Sequence, residues 1–343
     1  MLRYDKQTDI ISLRGNRCFV SPRLSSSPNM ADQPGKIRQS FESTILSLEK
    51  KRKSRIYVVV HNSRSERTHL CGPDFWTLYR NRGEFTGIET LEVLLHSPGG
   101  HADMAYRMAR FFKSHCKRLH IIVPLTAKSA ATLLALAGDR IYMGELADLG
   151  PLDVQITDEL ERGKRPFSPL DEFKSMEFLR EYATEFLDYF AFALSQRGMS
   201  VKQALHEAIP AVSGMTGPLY SHIDPSKVGS FRRSLAEAED YAVRLLKQCH
   251  NPHAEQLVEQ LVWKYPVHDF VIDYPEAKEL GLPVVRLEAS HEKLLNNALL
   301  EMVTNGLSYC GFVSAPPSTG KGGKKSGNKR MPTEIGGGKP EAA

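Results

Sequence analysis

An α/β fold built on parallel strands is what this sequence predicts, and three observations predict it. Short β-branched apolar runs alternate with helical stretches between about residues 55 and 143. One of these runs ends in the turn Ser97-Pro98-Gly99-Gly100. The alternation then returns near Asp269, after a long helical stretch. Strand–helix–strand alternation is the pattern of parallel pairing, because the crossover between parallel strands is normally a helix.

Taken in order, Met30 is followed by a helix-like run over Lys36–Lys51. Arg55–Val60 then reads as a buried strand and Leu91–His96 as a second. Past the Ser-Pro-Gly-Gly turn a helix is expected over Ala102–Lys113, and a third strand over Leu119–Pro124. A helix of small residues, Ser129–Ala137, leads to a fourth strand, Arg140–Met143. From about 168 to 263 the chain reads as mostly helical. Phe173, Met176, Phe178, Leu179, Tyr182, Phe186 and Phe190 recur at helical spacing, and further helices fit Leu235–Cys249 and Ala254–Trp263. The glycines and proline of Ser213–Pro218 predict a loop that breaks this segment. Asp269–Ile272 reads as a strand, and a short helix starting near Pro275 is capped by Gly281.

The ends differ from this middle. Residues 1–29 are polar and read as a disordered extension, or as lying upstream of a start at Met30. Residues 314–343, rich in Gly, Lys, Ser and Pro, read as a disordered basic tail; residues 30–313 read as the folded domain. From Ser314 on, six basic and two acidic residues leave +4 of the chain's net +5. The remainder is close to neutral, which argues against a nucleic-acid groove. Five cysteines (Cys18, Cys71, Cys116, Cys249 and Cys310) are scattered without a C-x-x-C pair. That argues against a disulfide framework and a zinc ribbon and for a reducing compartment. No stretch approaches the roughly 18–20 apolar residues of a membrane helix, nor is there a signal-peptide core. The expectation is a cytoplasmic chain with no cofactor, no metal and no membrane span.

Four features carry possible chemistry. Gly99 and Gly100, directly after a strand, free the backbone to turn N–H groups toward one point, as an oxyanion hole requires; a tight turn uses glycines in the same way. Ser129 stands at the start of a small-residue helix, where free N–H groups favour negative charge, though serines also merely cap helices. Leu149-Gly150-Pro151-Leu152-Asp153 is a rigid loop ending in a carboxylate, and Val267-His268-Asp269 precedes the late strand.

In this order the four resemble the Clp peptidase and crotonase-like superfamily, and most closely its serine dehydrogenase proteinase family. The matching stretches are Leu94–Gly100, Ala127–Asp139, Leu149–Asp153, and His268-Asp269 with Glu276-Ala277 to Gly281-Leu282. The resemblance implies a Clp/crotonase-like fold of repeated β-β-α units with a helical insertion. It also implies a serine endopeptidase acting on protein or peptide substrates, and a homo-oligomer. Clp peptidases run Ser, His, Asp along the chain. Here the order implied is Ser129 as nucleophile, Asp153 as orienting acid and His268 as base, with N–H groups of Gly99 or Gly100 and of Ala130 as the oxyanion hole. His96, His101 and His222 compete for the base, and Asp148 competes for the acid. Lys128 raises a Ser–Lys dyad, but adjacent residues at a helix start point in different directions, so it reads as a solvated charge. Two other functions remain open: a crotonase-type acyl-CoA enzyme using the same oxyanion geometry, and an inactive assembly subunit of the same fold.

Overall fold

The computed structural model describes residues 3–5, 10–13, 16–18, 33–152 and 169–314. Met1–Val313 form one compact unit; the second, Ser314–Ala343, lies outside the described residues apart from Ser314. In the N-terminal segment three short strands, β1 (Arg3–Asp5), β2 (Ile10–Leu13) and β3 (Asn16–Cys18), pair antiparallel in sequence order.

Helix α1 (Gln33–Arg52) leads into β4 (Arg55–Val60), then α2 (Gly72–Arg80), β5 (Thr90–His96), α3 (Ala102–Ser114) and β6 (Arg118–Val123). The chain continues through β7 (Thr126–Ala127), α4 (Ala130–Ala135), β8 (Arg140–Met143) and β9 (Asp148–Leu149). A helical segment follows: α5 (Pro169–Ser195), α6 (Val201–Tyr220), α7 (Pro225–Gln248) and α8 (Ala254–Glu259), which runs on as a π-helical turn to Lys264. Last come α9 (Tyr274–Glu279), β10 (Val284–Arg286), α10 (Ala289–Thr304) and β11 (Tyr309–Phe312).

The main sheet has six strands in the order β10-β8-β6-β5-β4-β11. All neighbours are parallel except β11, which closes the β4 edge antiparallel. Side chains alternate faces along a strand. Tyr57, Val59, Val93 and Leu95 therefore join one core with α3, α4 and α7, while Ile56, Val58, Val60 and Leu94 join a second core with α1 and α10. Beyond their carboxyl ends, β6 and β8 turn into the short strands β7 and β9, which pair with each other. Ser97, just past β5, bridges to Ala127, and Leu149 bridges to Ile272. Strand, crossing strand, helix is the β-β-α unit of a Clp/crotonase-like fold, and the helices after β9 are its insertion.

The sequence pattern misplaces two elements. The loop expected at Ser213–Pro218 is helix: α6 runs through Pro210, Gly214, Gly217 and Pro218. Ala204, Ala208, Val212 and Thr216 form a buried stripe at four-residue spacing on α6, and α6 packs on α5. That packing, with the Thr216 hydroxyl bonded to the Val212 carbonyl (2.9 Å), outweighs the roughly 1 kcal/mol per glycine and 3 kcal/mol per proline of helix propensity. The strand expected at Asp269–Ile272 is reduced to the single bridge at Ile272.

A buried ion pair ties α1 to the sheet. Arg52 grips Glu92 of β5 with two bonds of 2.6 and 2.7 Å, and the Ser54 hydroxyl adds a third of 2.6 Å. Burial pushes the Glu92 pKa up, but the nearby His120 ring (3.6 Å) and the bonds from Arg52 and Ser54 outweigh it and hold the pKa at about 2, against an ordinary 4.5. A carboxylate depressed in the fold contributes stability that is present above its unfolded pKa and lost as pH falls toward its folded one. A fall from pH about 5 to about 2.5 should therefore lower unfolding free energy by about 2 kcal/mol through this group. Urea midpoints should fall less steeply for Glu92→Gln than for the wild type over that interval, and equal slopes would remove Glu92 from the acid response.

Candidate active site

The site is built where the carboxyl ends of β5 and β6 meet. The Ser97 N–H bonds the Thr126 carbonyl and the Lys128 N–H bonds the Ser97 carbonyl, each at 3.1 Å, which locks the Ser-Pro-Gly-Gly turn beside β7. Gly99 (φ 110°) and Gly100 (φ 141°) both lie in the region that favours glycine. A Cβ on Gly99 would come within 2.7 Å of the Lys128 carbonyl oxygen, 2.9 Å of Ser129 Cβ and 3.2 Å of Ala130 N. A Cβ on Gly100 would come within 2.2 Å of the Leu70 carbonyl oxygen, whose strand-like segment pairs with the turn. Only glycine lets the two backbones approach this closely. Gly99 is thereby brought against Ser129 and Ala130.

Ser129 has φ 51° and ψ −119° and is 6% exposed. This is backbone that non-glycine residues avoid, at a cost of about 1–3 kcal/mol. A sharp, strained strand-to-helix turn presents the nucleophilic serine of α/β-hydrolases. Its support is packed: every residue of α4 is buried, the Thr132 hydroxyl bonds the Ala127 carbonyl (2.7 Å), and Gly150 N–H bonds that hydroxyl (3.0 Å). The Gly99 N–H donates to Ser97 Oγ at 3.1 Å. The N–H groups of Gly100 and Ala130 have no hydrogen-bond partner among the described residues.

Lys128 is not a solvated charge. Its ammonium makes three contacts: Asp148 Oδ2 at 2.6 Å, the Phe270 carbonyl at 2.9 Å and the Leu149 carbonyl at 3.2 Å. An ammonium has three N–H donors, so all are engaged. This geometry opposes a Ser–Lys dyad, and it occupies Asp148. It also fixes the segment carrying His268. That residue is half-buried in a turn closed by the Phe270 N–H on the Val267 carbonyl (3.2 Å), so the Lys128 staple draws its neighbour Phe270 to the residue before Ser129. Asp153 lies outside the described residues; Leu152 before it bonds the Leu261 carbonyl (2.9 Å).

The rival histidines are dispersed. His96 is buried, and its pKa is pushed down to about 4 by burial and then by His61, against the pull of Asp148. His101 is exposed and stacks on His69 with ring centres 5.7 Å apart, and His222 is exposed after α6. Sequence reasoning missed a buried cluster behind the turn, in which His61 Nδ1 lies 2.8 Å from Ser97 Oγ and Nε2 lies 3.2 Å from Asp74 Oδ2. Its members come from three separate elements, and no spacing announces them.

Two substitutions test this geometry. Ser129→Gly should raise unfolding free energy by about 1 kcal/mol as the strain is released, and a fall would show the backbone to be relaxed. Lys128→Met should cost about 3 kcal/mol in urea denaturation, because it leaves Asp148 and two carbonyls unpaired. Unchanged stability would mean that the staple holds nothing.

Comparison with known proteins agrees with the sequence resemblance. Two uncharacterised proteins of Methanocaldococcus jannaschii are 26% and 25% identical over 195 residues, or 57% of this chain and 53% and 51% of theirs. The chain thus spans about half the length of the curated relatives it matches. A solved mutant of a membrane-bound stomatin-specific protease aligns over 44% of this chain and 68% of its own at 16% identity, with a TM-score of 0.27, too loose a likeness to bear on the site. Residues 24–161, which hold the glycine turn, Ser129 and Asp153, match the family described as ClpP-like SDH-type serine proteinase.

Proposed function

We propose that the chain is a serine endopeptidase of protein or peptide substrates, with Ser129 as nucleophile. One observation carries the reading: a buried serine in strained backbone, packed directly against Gly99. Ser129 Oγ attacks the scissile carbonyl while His268 takes its proton, and Asp153 orients the imidazole and stabilises its charged form. The oxyanion of the tetrahedral intermediate is bound by the N–H groups of Gly100 and Ala130, which fits their having no other partner among the described residues. Collapse of the intermediate breaks the C–N bond. His268 passes its proton to the leaving amine, and water then hydrolyses the acyl-enzyme by the same steps in reverse order.

The protein is further proposed to work as a homo-oligomer. Apolar side chains stay exposed on α5 and α6, including Phe178, Tyr189, Phe192, Val201 and Ile209, and surfaces of this kind normally mark an interface. Among the described residues no helix is long and apolar enough to cross a membrane.

Hydrolysis of an unfolded protein substrate tests the reading. Ser129→Ala and His268→Ala should each lower kcat by at least about 10³-fold, and the double variant by little more, because triad members act as a unit. Undiminished turnover by Ser129→Ala would remove the serine as nucleophile. Additive losses would separate His268 from it.

A further inference from the structure

The buried cluster behind the glycine turn has no role in the steps above. His61, Asp74 and Ser97 are each at most 1% exposed, too deep for any of them to meet a substrate. Ser97 nevertheless touches the turn itself: its Oγ accepts the Gly99 N–H at 3.1 Å, the side-chain turn by which a serine fixes backbone two residues on. The same oxygen lies 3.4 Å from the Gly99 carbonyl, a weaker alternative acceptor.

The direction of each bond follows from Asp74. Burial pushes its pKa up, but His61, the Cys71 N–H and Arg67 together hold it at about 2, so it is an acceptor at neutral pH. His61 Nε2 must then carry the hydrogen that faces Asp74 Oδ2. In the neutral ring Nδ1 is left as an acceptor. The Ser97 hydroxyl donates to it at 2.8 Å, which commits the oxygen's lone pairs to the Gly99 N–H. Without His61 the hydroxyl rotates and can turn its hydrogen toward the Gly99 carbonyl.

We propose that His61 and Asp74 are positioning residues: through Ser97 they fix the Gly99 N–H inward, and so hold the glycine turn against Ser129 with the Gly100 N–H left for substrate. The functional half of this inference rests on the peptidase reading above; the structural half does not. The chain of bonds copies the Asp–His–Ser order of a catalytic triad, yet its serine is sealed and its last partner is a backbone N–H.

The test uses the full chain and two substitutions at one position. His61→Phe keeps an aromatic ring at the position, slightly larger than imidazole, and removes both nitrogens. His61→Asn sets an amide near Nδ1 and retains a partner for Ser97. By mass-spectrometric hydrogen exchange, a peptide spanning Gly99 and Gly100 should exchange about tenfold faster in His61→Phe, with peptides of α1 and α10 unchanged, and His61→Asn should restore most of the protection. Phosphonylation of Ser129 by a fluorophosphonate, and kcat with KM unchanged, should follow the same order. Equal protection of the Gly99 peptide in wild type and His61→Phe would overturn the proposal. Wild-type protein that hydrolyses nothing and takes no probe would remove the peptidase reading while the exchange data still decide the relay. Should His61→Phe not fold, the tautomer decides on wild-type protein: long-range ¹⁵N–¹H spectra should show His61 protonated on Nε2 and bare on Nδ1, and a hydrogen on Nδ1 would overturn the proposal.

Discussion

Two backbones meet here without a side chain between them. The Gly99 α-carbon faces the segment Lys128–Ala130 so closely that a single methyl group would collide with the Lys128 carbonyl oxygen and Ser129 Cβ and crowd the Ala130 nitrogen. Parallel strands β5 and β6 set the two turns side by side, and the bridge from Ser97 to Ala127 extends that pairing one step beyond the sheet. The strained Ser129 is held by what surrounds it: the buried helix α4 after it, the Thr132 hydroxyl beneath it and the Gly99 turn against it. Strain of this kind persists only where the surroundings over-determine it.

Around this contact the polar groups divide their work. Lys128 spends all its donors on Asp148, Leu149 and Phe270, gathering β9 and the His268 turn to one place. Behind the turn, Asp74 and His61 commit the Ser97 hydroxyl. Each is a buried or half-buried charge with its partners supplied, the condition under which charge inside a protein orders structure. Near this contact the N–H groups of Gly100 and Ala130 have no hydrogen-bond partner among the described residues.

Strand Arg55–Val60 was legible because a strand buried on both faces reads as a continuous β-branched run, and it and Arg140–Met143 match their predicted bounds. The glycine pair and the serine were legible as candidates because each stands at a strand-to-helix turn that a few consecutive residues define. Lys128 was misread because its partners are distant in sequence: Asp148 and Leu149 follow it by some twenty residues and Phe270 by 142. His61 and Asp74 gave no signal, since a histidine ending one strand and an aspartate opening a helix are ordinary until the fold superposes them. The stretch Ser213–Pro218 misled because glycine and proline report local preference, whereas the α5–α6 packing decides the outcome. Asp153 stays where the sequence left it, as a proposed acid.

The central claim is that Ser129 is an activated nucleophile facing an oxyanion site made of backbone. A crystal structure of the protein treated with a fluorophosphonate tests it most directly. The account predicts a covalent bond from Ser129 Oγ to phosphorus, with the phosphonyl oxygen about 3 Å from the N–H groups of both Gly100 and Ala130. An adduct on another serine, or one on Ser129 whose phosphonyl oxygen faces away from those two groups, would contradict it.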